Sequence, residues 1–329
     1  MKQLLKTLLA PLGPSGDEGG IADAIEALIK DSADEIRRDA MGNLIAIKKG
    51  QGPRVMLAAH MDEIGFMVTG IEENGFLRVA AIGGIRANLS AAMHVRMRSG
   101  APGVLYMETE PAPKSITPSE LFIDVGASSA EQAKKIADIG DWAVYAPMVS
   151  DMGERVASPY MDNRAGCAVL VDTFLRIKNA PCEVVAVFTS QEEVGLRGAT
   201  AAAYDINPDY GIALDVTPTG DVPKSPRQSV ELGKGAAIKV MDRSVITHPR
   251  VRDWLTGAAQ KGNIPYQLEV LSYGGTDAGA IHLTRGGVPS GAISIPCRYV
   301  HAPCEMVDMG DIKACADLLV QALQDAPQG

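Results

Sequence analysis

The sequence predicts an α/β protein in which helices cover a sheet and a second, β-rich unit is inserted. Three observations carry this. Continuous apolar runs of strand length recur, as in RVMLAAH, EVVAVFT, YGIALDV and SGAISIP, and such runs suit strands buried on both faces. Stretches with helical spacing alternate with these runs toward both ends of the chain, the pattern of a sheet with helices packed on it. From about Ile64 to Val156 the alternation stops, and short strands punctuated by Gly, Pro and Asn follow one another.

The elements follow in order. MKQLLKTLLAPLGPSG places Leu4, Leu5, Leu8 and Leu9 on a short amphipathic helix; its apolar run, broken by Lys6 and closed by Pro and Gly, makes a poor signal peptide. DEGGIADAIEALIK repeats Ile21, Ile25, Leu28 and Ile29 at helical spacing. EIRRDAMGNLIAIKKG reads as two strands about Gly42-Asn43, and RVMLAAH as a buried strand ending at His60. The middle stretch predicts a barrel or an open sandwich, with SAEQAKKIAD as its one helical segment. Beyond it, DNRAGCAVLVDTFLRIKN predicts a helix, CEVVAVFTS a strand, GATAAAY a helix, and YGIALDV and AAIKVMD strands. HPRVRDWLTGAAQKG then predicts a helix, YQLEVLS a strand, TDAGAIHLTRGG a helix, SGAISIP a strand and DIKACADLLVQALQD the closing helix. The simplest organisation assigns residues 1–64 and 157–329 to one α/β domain and residues 65–156 to an inserted β-rich domain. No internal repeat or low-complexity segment is evident.

Composition bounds the function. The 329 residues are 46% hydrophobic and 22% charged, ordinary for a soluble globular protein. A formal net charge of -9 and a pI of about 5.1 leave no basic patch for phosphates, so nucleic acid and membrane are not expected partners. Five cysteines, an odd count with no CxxC pair, read as reduced thiols of a cytoplasmic protein. No apolar run is long enough to span a bilayer.

The chemistry gathers at strand ends. In VVAVFTSQEEVGLRGA an apolar strand runs into Glu192 and Glu193, and adjacent carboxylates at the mouth of a core strand are costly unless something there needs negative charge. His60 and Asp62 follow RVMLAAH, Asp215 closes GIALD, His301 lies just beyond AISIP, and Asp162 opens DNRAGCAVLV. Open α/β sheets bind ligands beyond the carboxyl ends of their strands, so separate segments deliver two histidines and several carboxylates to one edge. That N/O set suits Zn²⁺ and related divalent metals. Taken singly, each residue has a plain structural reading. Asp162 is a helix N-cap and the glutamates are solvated. His94 is a hydrogen-bonded core residue, His248 starts a helix and His282 lies on a helix face. Taken together they form a pattern that structural need does not readily produce.

A two-metal hydrolytic site needs a bridging carboxylate, terminal ligands and a separate general base. Consecutive residues of extended chain diverge, which can aim Glu193 at a metal and leave Glu192 beside a bound water. His60 and Asp62, two apart, point the same way, so Asp62 can orient the imidazole. Asp162, Glu193 and Asp215 bring three negative charges to two divalent cations, and a hydroxide neutralises the remainder.

The stretches AAHMDEIGFMV, MDNRAGCAVL, FTSQEEVGLRGA, LDV, GGTDAGAIHLTRGGVPSGAISIP and RYVHAPCEMVD resemble those of the M42 metallo-aminopeptidases, over nearly the whole chain. The family includes tetrahedral and deblocking aminopeptidases, and some relatives have been labelled endoglucanases. The resemblance implies that His60 and Asp215 are terminal ligands of one metal, that Glu193 and His301 hold the other, and that Asp162 bridges. Glu192 is then the general base and Asp62 the orienting carboxylate. Two divalent ions per subunit are implied, Zn²⁺ first, with Co²⁺ and Mn²⁺ as alternatives. So are a phosphorylase/hydrolase-like α/β domain and a small β-barrel domain that helps assembly, commonly into a tetrahedral dodecamer. The implied reaction removes N-terminal residues from peptides: the metals polarise the scissile carbonyl, and Glu192 deprotonates the bridging water and protonates the leaving amine.

Gly275, Thr276 and Asp277 of GGTDAG are expected at the substrate pocket, with Asp277 either a helix cap or part of the wall. Ser272-Tyr273, Ala302 and Cys304, and the segment METEPAPKSITPSE, depart from the family pattern; Cys304 reads as a small buried residue. A metal-dependent deacylase or carboxypeptidase on the same scaffold is the nearest alternative. A glycoside hydrolase would need two carboxyl groups flanking a sugar, in a chain with 5% aromatics and two Trp, and would leave His60 and His301 idle.

Overall fold

The computed structural model describes residues 1–108, 116–225 and 228–327. The apolar stripes of α1 (Lys2–Leu8) and α2 (Gly19–Ile29) are buried through Leu5, Leu8, Ile21, Ile25 and Ile29, while Leu28 stays exposed. Strands β1 (Glu35–Arg38), β2 (Leu44–Lys48) and β3 (Arg54–His60) follow. The next segment carries β4 (Gly65–Ile71), β5 (Leu77–Ile82), α3 (Ala87–Ser90), β6 (Met93–Met97), β7 (Pro102–Met107), β8 (Leu121–Asp124), α4 (Ala130–Ala133) and β9 (Trp142–Tyr145). Then come β10 (Ser150–Met152), β11 (Arg155–Ser158), α5 (Met161–Arg176), β12 (Glu183–Thr189), α6 (Arg197–Ile206), β13 (Tyr210–Pro218), β14 (Ala236–Met241) and α7 (Pro249–Lys261). The chain closes with β15 (Tyr266–Val270), α8 (Ala278–Ile281), β16 (Ser290–Arg298), β17 (Glu305–Asp308) and α9 (Met309–Gln324).

Among the described residues eleven strands form one mixed sheet, in the order β1-β2-β12-β3-β13-β16-β17-β11-β10, with β14 and β15 alongside β16. Its centre, β12-β3-β13-β16, is parallel; the strands that flank it join antiparallel, except that β15 runs parallel to β14. The central strands are buried on both faces, which is why their sequences read as unbroken apolar runs. Helix α5 packs on β3 and β13 beneath α1, α2 and α9, and is buried almost all round. It also carries the fully buried Arg164, whose guanidinium donates to the carbonyls of Leu8, Pro11 and Met61 and to Glu63 Oε2 at 2.6 Å. Four bonds, one of them to a carboxylate, make that buried charge tolerable and tie the chain beside His60 to the N-terminal segment.

The middle segment closes into a six-stranded antiparallel barrel, β4-β5-β8-β7-β6-β9, around Phe66, Leu77, Val95, Leu105, Ile123 and Tyr145. Closure pairs every edge strand. The β10–β11 hairpin belongs instead to the large sheet, where β11 pairs with β17.

Several local expectations are corrected. The helix expected over TDAGAIHLTRGG is only Ala278–Ile281: Thr284 N–H bonds the Ile281 carbonyl in a tight turn, and Arg285 turns to φ 50°. SAEQAKKIAD likewise yields only Ala130–Ala133 before i→i+3 turns at Lys135 and Ile136 take over, and α3 is a second helix in that region. RYVHAPCEMVD contains β17, a strand too short to show a period. His94 is exposed rather than in the core, because β6 buries its alternate residues Val95 and Met97. Cys304 is also exposed, in the turn after His301, whereas the other four cysteines are buried. His248 does start a helix: its Nδ1 accepts the Arg250 N–H at the head of α7. The METEPAPKSITPSE departure lies in part outside the described residues.

Candidate active site

The parallel centre of the sheet assembles the site. His60 ends β3, Glu192 and Glu193 follow β12, Asp215 lies in β13 and His301 follows β16. Ala213 pairs with Ala58, and carrying that register two residues onward sets Asp215 beside His60. Their side chains meet at 3.6 Å, Oδ1 to Nε2. Asp162 enters from the start of α5 with non-helical angles, φ -76° and ψ 103°, and makes no capping bond. The peptide bond after it is cis. Its carboxylate divides between two partners: Oδ1 is 3.0 Å from His60 Nε2 and Oδ2 is 3.2 Å from His301 Nε2. Glu193 Oε1 is 3.5 Å from the same His301 nitrogen. Two donor groups with ligand atoms within 4.8 Å of one another result, His60–Glu192–Asp215 and His60–Asp162–Glu193.

Glu192 and Glu193 fall in different donor groups, and a turn, not extended chain, carries them. Gln191 has φ 54°, and the N–H groups of Gly195 and Leu196 bond back to the Glu192 carbonyl. Asp62 pins that turn. Its Oδ1 accepts the Glu192 N–H at 3.0 Å, and its Oδ2 accepts the Glu193 N–H at 3.2 Å and the Ser15 hydroxyl at 2.7 Å. The Nδ1 of His60 lies 3.1 Å from the Asp62 carbonyl and 3.4 Å from its carboxylate. Asp62 thus meets the imidazole through both its carbonyl and its carboxylate, while the same side chain holds the backbone of the two glutamates.

Sequence reading passed over four contributors. Ser15 supports Asp62, and Glu18 accepts the Gln191 N–H at 3.0 Å; both lie in a loop whose composition announces only a turn. Glu305, although inside a quoted motif, drew no role; it accepts the backbone N–H groups of both Asp162 and His301. Gly84, in the loop between β5 and α3, accepts the His301 Nδ1–H at 3.1 Å. A Cβ there would sit 2.4 Å from that nitrogen, so the imidazole would have to move. Gly84→Ala is therefore expected to lower kcat/KM by about 100-fold, the cost of shifting a side chain of the cluster by about an ångström. Steady-state kinetics beside a thermal melt of the variant checks this.

Burial, joined by the charges of Asp215 and Glu193, pushes the Glu192 carboxyl well above its usual value, although His60 opposes. Burial and Asp162 raise Glu193 to about 8. Asp162, despite its burial, is held low by both imidazoles. Burial works against the protonated histidines, but Glu192, Asp162, Asp215 and Asp62 outweigh it at His60, and Asp162 and Glu193 raise His301 to about 10. Carboxylates that crowd and raise one another in this way are matched by added positive charge. With two imidazole nitrogens among them, the donor set fits divalent cations of the Zn²⁺, Co²⁺ and Mn²⁺ type.

The cluster floors a cavity of about 450 Å³ walled by Leu196, Val216, Leu271, Tyr273, Gly275 and Thr276. Asp277 stands behind this wall: its Oδ2 accepts the Thr189 hydroxyl at 2.5 Å, and it makes no side-chain cap on α8. Of the departures noted in the sequence, Tyr273 reaches the cavity.

A helix-flanked mixed sheet carrying a barrel and a histidine–carboxylate cluster beyond its parallel strands defines a class of α/β hydrolytic enzymes. Comparison with known proteins narrows it. The family model of the M42 glutamyl aminopeptidases matches residues 42–318, and the chain belongs to that family, whose members are aminopeptidases. A protein of Acetivibrio thermocellus is 50% identical over 98% of both chains, and the lysyl aminopeptidase of Pyrococcus furiosus is 36% identical over 98% of this chain and 96% of its own. Among solved structures, aminopeptidase APDkam598 of Desulfurococcus kamchatkensis superposes with a TM-score of 0.94 at 40% identity, covering 98% of this chain and 94% of that one. The TET1 peptidase of Pyrococcus horikoshii, which can assemble into a tetrahedron or a large octahedral shell, superposes with a TM-score of 0.89 at 31% identity over 99% of both.

Proposed function

We propose that this aminopeptidase removes N-terminal residues from peptides with two divalent cations, Zn²⁺ first. His60 and Asp215 would hold one and Glu193 and His301 the other, with Asp162 between them. The observation that carries this reading is the divided Asp162 carboxylate, one oxygen toward each histidine. When bound, the cations supply a polarising field for the scissile carbonyl and acidify water. Glu192 then takes a proton from the attacking water and delivers it to the leaving amine as the C–N bond breaks. Its half-buried, crowded setting, which raises its proton affinity, suits a group that must both accept and return a proton. Asp62 keeps that carboxylate in place through the turn it pins. Gly275, Thr276 and Tyr273 shape the pocket that receives the substrate, and Asp277 backs it.

The test is hydrolysis of unblocked, N-acetylated and C-terminally blocked peptides by chelated protein and by protein refilled with Zn²⁺, Co²⁺ or Mn²⁺. Release of free N-terminal residues from unblocked peptides, only with metal restored, is expected. Turnover confined to acetylated peptides would make the protein a deacylase, and turnover lost on C-terminal blocking a carboxypeptidase. Full activity after chelation would sink the metal reading.

The same proposal includes a homo-oligomer of the tetrahedral dodecamer kind, with the inserted segment 65–156 serving assembly through its barrel, while β10 and the start of β11 at its end join the large sheet. Support comes from the P. horikoshii peptidase and from Ile139, Met148, Val149 and Met152, apolar side chains exposed on and beside the barrel. Light scattering that gave a monomer mass would remove this part. A cytoplasmic location is proposed on the free cysteines and on the lack, among the described residues, of any helix long and apolar enough to cross a membrane.

A further inference from the structure

Glu305 takes no part in the chemistry above, yet it is 2% exposed and lies against two of the residues that carry it. It opens β17, paired with Ser158 of β11. Its Oε2 accepts the Asp162 N–H at 2.8 Å and its Oε1 accepts the His301 N–H at 2.7 Å. Neither partner sits in a regular ladder: Asp162 has non-helical angles at the head of α5, and His301 has φ 62° in the turn after β16. We propose that Glu305 is a positioning residue that sets the separation of Asp162 from His301 and thereby tunes the binding of the cation held by Glu193 and His301. The inference rests on the two-cation reading and deepens it.

The chemistry of the contact explains why a carboxylate stands there. Both partners are donors, so both side-chain oxygens must accept. A glutamine offers one oxygen and one NH₂, and its NH₂ would face an N–H, leaving a buried donor without an acceptor. An aspartate keeps two acceptors on a stem one methylene shorter. Residues that orient metal ligands in this way typically contribute about 10- to 100-fold in metal affinity.

The experiment uses full-length Glu305→Gln and Glu305→Asp beside the wild type. Metal-free protein is melted, Zn²⁺ binding is measured by chelator competition, and the visible spectrum of Co²⁺-loaded protein reports ligand geometry. For Glu305→Gln the expected result is a metal-free melt lowered by a few degrees at most, the effect of one unpaired buried donor, with a first ion bound as before and a second ion weakened about 10- to 100-fold. An altered Co²⁺ spectrum and a fall in kcat with little change in KM should accompany it, and Glu305→Asp should recover part of the affinity. A second ion bound as tightly as in the wild type, with an unchanged spectrum, overturns the proposal. So does a fall in metal-free melting temperature that accompanies equal weakening of both ions, since that marks a purely structural residue. Fewer than two ions in the wild type would instead remove the two-cation reading itself, whatever the variants do.

Discussion

Glu192→Gln is expected to lower kcat by about 100- to 10,000-fold, the range for losing a positioned general acid–base, with KM close to the wild type. The substitution keeps size and shape but can no longer take the proton from the attacking water. Glu192 is the right group to single out because its backbone is held by Asp62, and desolvation, joined by the charges of Asp215 and Glu193, keeps its proton affinity high against the pull of His60. Metal content decides between two roles. The Glu192 carboxylate also lies within ligand range of His60 and Asp215, so a cation could be shared among the three. If Glu192 is the base, the Gln variant keeps both ions while turnover collapses. If it is a ligand, metal content falls together with activity, and elemental analysis of the purified variant reads the difference.

Asp162→Ala is expected to have the other large effect, a loss of one cation and a fall in kcat/KM of about 1,000- to 10,000-fold, several kcal/mol of charge stabilisation at the scissile carbonyl. No other carboxylate shown in the cluster faces both His60 and His301 at 3.2 Å or less, so nothing present takes over the bridge. The fold should survive, because the Asp162 backbone N–H keeps its bond to Glu305 and the rest of α5 is packed independently of this side chain. Metal content, kcat/KM and the melt of the metal-free protein, taken together, check it. Two ions bound at full affinity would show that the two histidine ends are held without a bridge.

Much of the site was legible in the sequence for a physical reason. Strands buried on both faces leave unbroken apolar runs, and polar residues stand out where such runs stop. His60, Asp215 and His301 were singled out that way as candidates, and Asp162 by its place at the head of a helix whose composition is apolar; the structure brings the four together. Helices with a clear stripe, such as α2, α7 and α9, were equally plain. Short elements were not. Four-residue α4 and α8 sit in stretches whose spacing suggested longer helices, and β17 is too brief to carry a period. His94 and Cys304 were misplaced because burial of a single residue depends on which side of its strand or turn faces the core.

The sequence by itself determined the element types, the alternation that makes the sheet, and which side chains lie at its strand ends, because each is written in local periodicity and in the cost of burying charge. Only the tertiary structure decided that Asp62 grips the backbone of Glu192 and Glu193, that Glu305 spans Asp162 and His301, and that Gly84 of the barrel loop seats the His301 ring. All but the Glu305–His301 bond, which spans four residues, are hydrogen bonds between segments far apart in the chain. Their partners are mostly backbone groups, which every residue possesses, so no residue type along the sequence marks them.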